Sequence, residues 1–185
     1  MICPINCDIL FIYKESFHLK YVIILTYKKG AVLMESMEMF KYSRTSTLII
    51  LPKLDEKLWD IQPENWPNTI RWNAGHIYAE AERFMHDADN DYEITRPDWM
   101  PLFLDGSRPS EWEGDIPSKD EILEALREQE NRIENFFKDK HQNKASTVRD
   151  LNGMKLETVE HALQFITWHE GIHIGDIKGL RLATK

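Results

Sequence analysis

The sequence predicts an all-α protein: an antiparallel four-helix bundle with a long loop between helices two and three. Three observations carry this. Apolar residues recur at helical spacing in four separate stretches. Ser118-Lys119-Asp120-Glu121 is a capping box set directly before an apolar run, which marks one helix start. Alternating strand patterns are too few to build a sheet, and no internal repeat appears.

Residues 1–33 read as an N-terminal extension outside the fold, and residues 34–185 as the helical domain. Within the extension, Tyr21 to Leu25 is apolar and β-prone, but Lys20, Lys28 and Lys29 interrupt it. Its longest apolar run falls far short of the roughly 20 residues of a membrane span, and no small-residue cleavage site follows as in a signal peptide. Met34 and Met37 stand directly before a typical domain sequence, so an upstream mis-start is one reading of the first stretch.

The first helix is expected from Met37, with Met39, Tyr42, Leu48, Ile49 and Leu51 as apolar positions and Pro52 at its end. Gln62 to Pro67 is a loop by its prolines. The second helix is expected from Asn68 as N-cap to about Asp87, burying Ile70, Ala74, Ile77, Ala81 and Phe84. Residues 92–117 hold Pro97, Pro101, Pro109 and Pro117 together with Trp99, Phe103, Leu104 and Trp112, a connection packed over the domain. The third helix follows the capping box with Ile122, Leu123, Leu126, Ile133 and Phe136-Phe137. Residues 138–155 are polar, with Gly153 as a breaker, and the fourth helix runs from about Leu156 to Leu180.

Composition narrows the function. With 42% hydrophobic and 29% charged residues the chain is an ordinary globular protein rather than a disordered one. A formal net charge of -8 and no basic run argue against nucleic acid as a partner. No membrane partner is expected either. Cys3 and Cys7 are the only cysteines, too few for a disulfide framework and a weak metal signal, so a reducing cytoplasm is the expected location.

The fourth helix carries the chemistry. Its apolar stripe is Val159, Ala162, Leu163, Ile166, Ile177 and Leu180, and His169, Glu170, His173 and Asp176 fall on or beside it. Polar groups at core-facing positions cost a few kcal/mol unless they have partners. His169 and His173, at i and i+4, project from one face and can grip one cation. His76 in the second helix is the third candidate ligand, and ligands from facing helices converge in a bundle core. Three protein ligands with an open position are the catalytic pattern for zinc and related divalent metals. Core histidines satisfied by hydrogen bonds, with His76 exposed, remain the other reading. Glu80, four residues after His76, and Glu170 are candidates for a base or for orienting a ligand ring. His18, His86, His141 and His161 read as surface or structural.

Residues 169–173, His-Glu-Gly-Ile-His, also match H-E-x-x-H, the zinc metallopeptidase helix in which the Glu is the base. No clear third ligand follows His173, and no strand is expected to hold an extended peptide.

A broader resemblance runs over residues 37–181. Phe40 to Arg44, Pro67-Asn68-Thr69-Ile70-Arg71-Trp72-Asn73-Ala74-Gly75-His76-Ile77, Leu102 to Trp112, and Trp168-His169-Glu170-Gly171-Ile172-His173-Ile174-Gly175-Asp176-Ile177 together resemble DinB-like proteins, in the right order. The resemblance implies a four-helix bundle holding a divalent metal (Zn, Ni, Mn or Fe) through three histidines, matched here by His76, His169 and His173. It implies one of several roles: transfer of a low-molecular-weight thiol such as bacillithiol to an electrophile, mycothiol-dependent isomerisation, metal-dependent hydrolysis, or a non-catalytic metal-binding or stress-response module. Small-molecule thiol and electrophile partners and a homodimer through helix faces follow from the same resemblance. Asp176 stands where the family often has a polar residue such as Gln.

Overall fold

The structure, a computed structural model, describes residues 7–16, 19–28 and 36–184. Cys3, His18 and Met34 lie outside the described residues. The chain divides into two compact units, Met1–Glu35 and Ser36–Lys185. In the first, β1 (Cys7–Ser16) and β2 (Leu19–Lys28) pair antiparallel, from Cys7 opposite Lys28 to Ser16 opposite Leu19.

The second unit is mostly helical, as the sequence predicts. It contains α1 (Ser36–Ile50), α2 (Ile70–Ala88), the short α3 (Met100–Phe103), α4 (Lys119–Phe137) and α5 (Val159–Ala183). The helix α2 is central: of its residues only Arg83, His86 and Asp87 escape full burial. It packs against α4, α5 and α3, while α1 packs against α4 and α5. Its apolar positions Ile70, Ala74, Ile77, Ala81 and Phe84 are buried as expected. The cap of α2 is Thr69 rather than Asn68. Thr69 is the last residue with extended backbone, and its hydroxyl accepts the Trp72 amide. The Ser118 capping box on α4 forms as predicted, with both reciprocal bonds present.

Two expectations are corrected. The buried face of α1 is Met37, Phe40, Arg44 and Thr47, whereas Met39, Tyr42 and Ile49 turn outward. The reason is chemical: Arg44 and Thr47 face a buried acid on α5, and that pairing sets the helix rotation. The polar stretch after α4 is a β-hairpin, β3 (Lys144–Leu151) with β4 (Met154–Thr158), so a sheet is present and α5 begins at Val159, not Leu156. Asn152 and Gly153, both at positive φ, form the two-residue turn between Leu151 and Met154. The strands are mostly exposed, so no apolar alternation betrays them.

The connection between α2 and α4 folds down on the core as expected. Trp99 and Phe103 are buried there, and Trp112 packs edge-on to Phe103. Phe103 lies on Gly75 so closely that a Cβ at Gly75 would stand 2.4 Å from the ring. Gly75→Ala therefore forces Phe103 out of place. Although alanine is the better helix former, we expect a net loss of about 1–3 kcal/mol. A urea melt with unchanged or raised stability would contradict this packing.

Candidate metal centre

Three imidazoles meet between α2 and α5. His76 comes from the buried middle of α2, and His169 and His173 come from successive turns of α5. The His173 ring centroid lies 4.5 Å from each of the other two, and His76 and His169 are 5.0 Å apart. Nε2 of His173 is 3.2 Å from Nε2 of His169. Two nitrogens sharing a tetrahedral zinc would stand roughly 3.3 Å apart, given Zn–N bonds of about 2.0–2.1 Å.

The rest of the chain decides which nitrogens are free. His76 Nδ1 lies 2.6 Å from the Phe103 carbonyl, which only accepts, so Nδ1 carries the proton and Nε2 keeps its lone pair. Asn73 Nδ2 donates to the Thr69 carbonyl at 2.8 Å, which turns its Oδ1 toward His173 Nδ1, also at 2.8 Å. His173 Nδ1 is therefore the donor, and its Nε2 also carries a lone pair. Trp72 stacks on His76 with centroids 4.3 Å apart and planes within 17°. These partners fix ring orientation in the way metal-ligating histidines require.

Burial keeps the rings neutral. It lowers His169 to about 3, helped by the neighbouring His173 and His76 rings and by Arg83. It lowers His173 to about 4, with His76 adding to the effect and Asp176 and Asp105 opposing it. Burial lowers His76 as well, against the hydrogen bond to Phe103. Neutral, converging imidazoles, two of them held from outside by the Phe103 carbonyl and Asn73, are a donor set suited to a divalent transition metal. The three form a group whose ligand atoms lie within 4.8 Å of one another. They open on a cleft of about 240 Å³ walled by Trp66 and Trp72, with Asn68, Asp105 and Asp176 also on its lining.

The two candidate carboxylates part company. Glu80 adjoins the site: with His76 and Asp105 it offers atoms within 4.8 Å of one another. Its Oε2 pairs with Arg83, its Oε1 is buried with no hydrogen-bond partner among the described residues, and burial pushes its carboxyl up. Glu170 is not brought to the cleft. It is buried on the opposite side of α5, where Arg44 Nε donates to it at 3.0 Å and the Thr47 hydroxyl also bonds it. The H-E-x-x-H reading needs this carboxylate beside the metal, and here it is committed elsewhere. His86, His141 and His161 stand apart and bond to or lie near Tyr92, Glu160 and Glu157 respectively.

Sequence reasoning missed Asn73, Trp66, Trp72 and Asp105. Asn73 had a readable cue, since it lies one helical turn from both Thr69 and His76. Asp105 had none, because its place beside His76 depends on how the connection folds.

A mostly helical domain that turns three neutral imidazoles from two facing helices onto one point defines a class of histidine-site helical proteins. The chain belongs to the DinB superfamily, whose model matches residues 39–177, about three quarters of its length and all three histidines. A comparison with the curated proteins finds no match.

Two measurements test this description. An unfolded histidine takes its proton near 6.5, but His169 and His173 do so only near 3 and 4 in the fold. The unfolded state therefore binds more protons in between, so their contribution is full above pH 6.5 and is lost as pH falls toward 4 and then 3. The unfolding free energy of the metal-free protein, from denaturant melts, should fall as the pH is lowered from 6.5, and His169→Gln/His173→Gln should flatten that pH dependence; an equal dependence would refute it. Glu170→Gln leaves the Arg44 charge buried without its counter-ion and should cost about 3 kcal/mol. Full stability in that variant would show that Glu170 is not the core partner of Arg44.

Proposed function

We propose that this protein binds one divalent metal through His76, His169 and His173 within an antiparallel four-helix bundle of α1, α2, α4 and α5. In this reading it is a metal-dependent transferase joining a low-molecular-weight thiol to an electrophile. The observation that carries it is the convergence of three imidazoles, with the Nε2 atoms of His169 and His173 3.2 Å apart and with Nδ1 of His173 and of His76 each oriented by a fixed partner. A cation held there would be bonded directly by the lone pairs of these nitrogens. Three imidazoles suit Zn, Ni, Mn or Fe.

Bound there, the metal would lower the pKa of a thiol or water held at its open position. The chain's own residues do the rest. Asn73 and the Phe103 carbonyl keep the ligand rings aimed. Trp66 and Trp72 bound the cleft on its apolar side and limit the water that competes with a substrate. Glu80 is the better placed of the two carboxylates to accept a proton near the site, because Glu170 is held by Arg44. A reducing cytoplasm would supply the thiol. Metal-dependent hydrolysis is the second reading, since the same cleft admits water.

Protein purified without a metal-binding tag should carry about one equivalent of a divalent metal by mass spectrometry, the number a single three-ligand site holds. His169→Ala should lose it. Asn73→Ala, which frees the His173 ring, should weaken metal affinity roughly 10–100-fold. Thiol consumption against a panel of electrophiles then distinguishes a transferase from a hydrolase or from a module without turnover. Absence of metal, with unchanged affinity in both variants, would leave the histidines purely structural.

A further inference from the structure

The rim of the histidine cleft has a sign. Asp105 Oδ1 lies 3.7 Å from His76 Nε2, and Asp176 Oδ2 lies 3.9 Å from His173 Nδ1. Both carboxylates keep solvent exposure, 74% and 49% of the side chain, and face what enters. Asp105 is placed there by the chain on either side. The Phe103 carbonyl is bonded to His76, and Ser107 Oγ accepts Trp72 Nε1 at 2.9 Å while donating to the Leu102 carbonyl. The remaining walls are the indoles of Trp72 and Trp66. Trp66 lies against α5 because residue 179 is glycine, where a Cβ would stand 2.5 Å from the ring.

No lysine or arginine is among the residues lining this cleft. Arg83 stands beside Asp105, and its guanidinium is shared between Glu80, which it bonds, and Asp105 at 3.7 Å. Two carboxylates thus face one guanidinium, and Asp176 has no cation of its own within the cleft. Indole faces add an attraction for cations. A metal at the histidines would draw any thiolate sulfur alike, so the charge at the far end of the thiol is what the rim reads.

We propose that the cleft takes thiols whose remote group is neutral or cationic, an alcohol or an ammonium, and rejects thiols bearing a remote carboxylate. This rests on the metal reading above and adds the substrate class to it. The thiol binds as its thiolate, its proton leaving to solvent, and the remote group lies between Asp105, Asp176 and the two indoles.

Cobalt(II)-loaded protein tests it, because thiolate bound to cobalt gives a charge-transfer absorption band. Cysteamine, 2-mercaptoethanol and 3-mercaptopropionate are titrated, each compared at equal thiolate concentration. The first two should bind roughly tenfold or more tighter than the third. In D105N/D176N the gap should shrink severalfold, chiefly because 3-mercaptopropionate gains. High salt on the unaltered protein should narrow the same gap without any substitution. Equal or tighter binding of 3-mercaptopropionate, or a gap that survives both the substitutions and salt, overturns the charge selection while the metal reading stands. A protein that takes up no cobalt overturns both, and the missing d–d absorption tells that failure from the first.

Discussion

The architecture turns on one buried ion pair. Arg44 of α1 and Glu170 of α5 meet with side chains almost wholly removed from water. An ion pair in that position is costly unless every remaining group is satisfied. Here Thr47 bonds the carboxylate and the guanidinium reaches the Leu126 carbonyl and Gln129 of α4, while Arg44 Nη2 is left without a hydrogen-bond partner among the described residues. Gln129 in turn donates to the Tyr78 carbonyl and to Glu82 of α2. Glu82 is also bonded by Tyr92 and Arg132. All four long helices are thereby joined through polar contacts that tolerate little sliding. Such a network adds less to stability than to the choice of one arrangement over its neighbours.

The pair also fixes the histidines. Consecutive helical residues are turned by about 100°, so Glu170 held against α1 leaves His169 and His173 turned toward α2. With its carboxylate bonded to Arg44 and Thr47, Glu170 is not free to act as a base beside the two histidines, and the arginine on α1 thereby argues against the peptidase-like arrangement.

The sequence was most readable where burial and hydrophobicity agree. In α2, α4 and α5 the core positions are apolar, so spacing located the helices and their inward faces. In α1 they disagree: Arg44 and Thr47 point in while Tyr42 and Ile49 point out, and the spacing of apolar residues named the wrong face. The hairpin after α4 was hidden because exposed strands need no alternation, although Asn152-Gly153 between Leu151 and Met154 is the turn chemistry that two-residue hairpins demand. In the site, the i,i+4 pair on an apolar stripe was legible from local geometry alone. His76 as their partner needed two helices to face each other. The carboxylate beside it needed the path of a loop, which no spacing rule encodes.

The acceptor that orients His76 is a main-chain carbonyl, that of Phe103, and another, that of Thr69, holds the Asn73 amide that orients His173. Point substitution cannot delete a carbonyl. Position 103 can drift to another residue of like size, and position 69 to another helix cap, while both main-chain oxygens are inherited unchanged. Heritable loss of ring orientation is concentrated at Asn73, whose side-chain amide alone links the Thr69 carbonyl to His173. A lineage of such chains would keep His76 and His173 aligned through extensive turnover of the surrounding side chains, as long as that one amide survives.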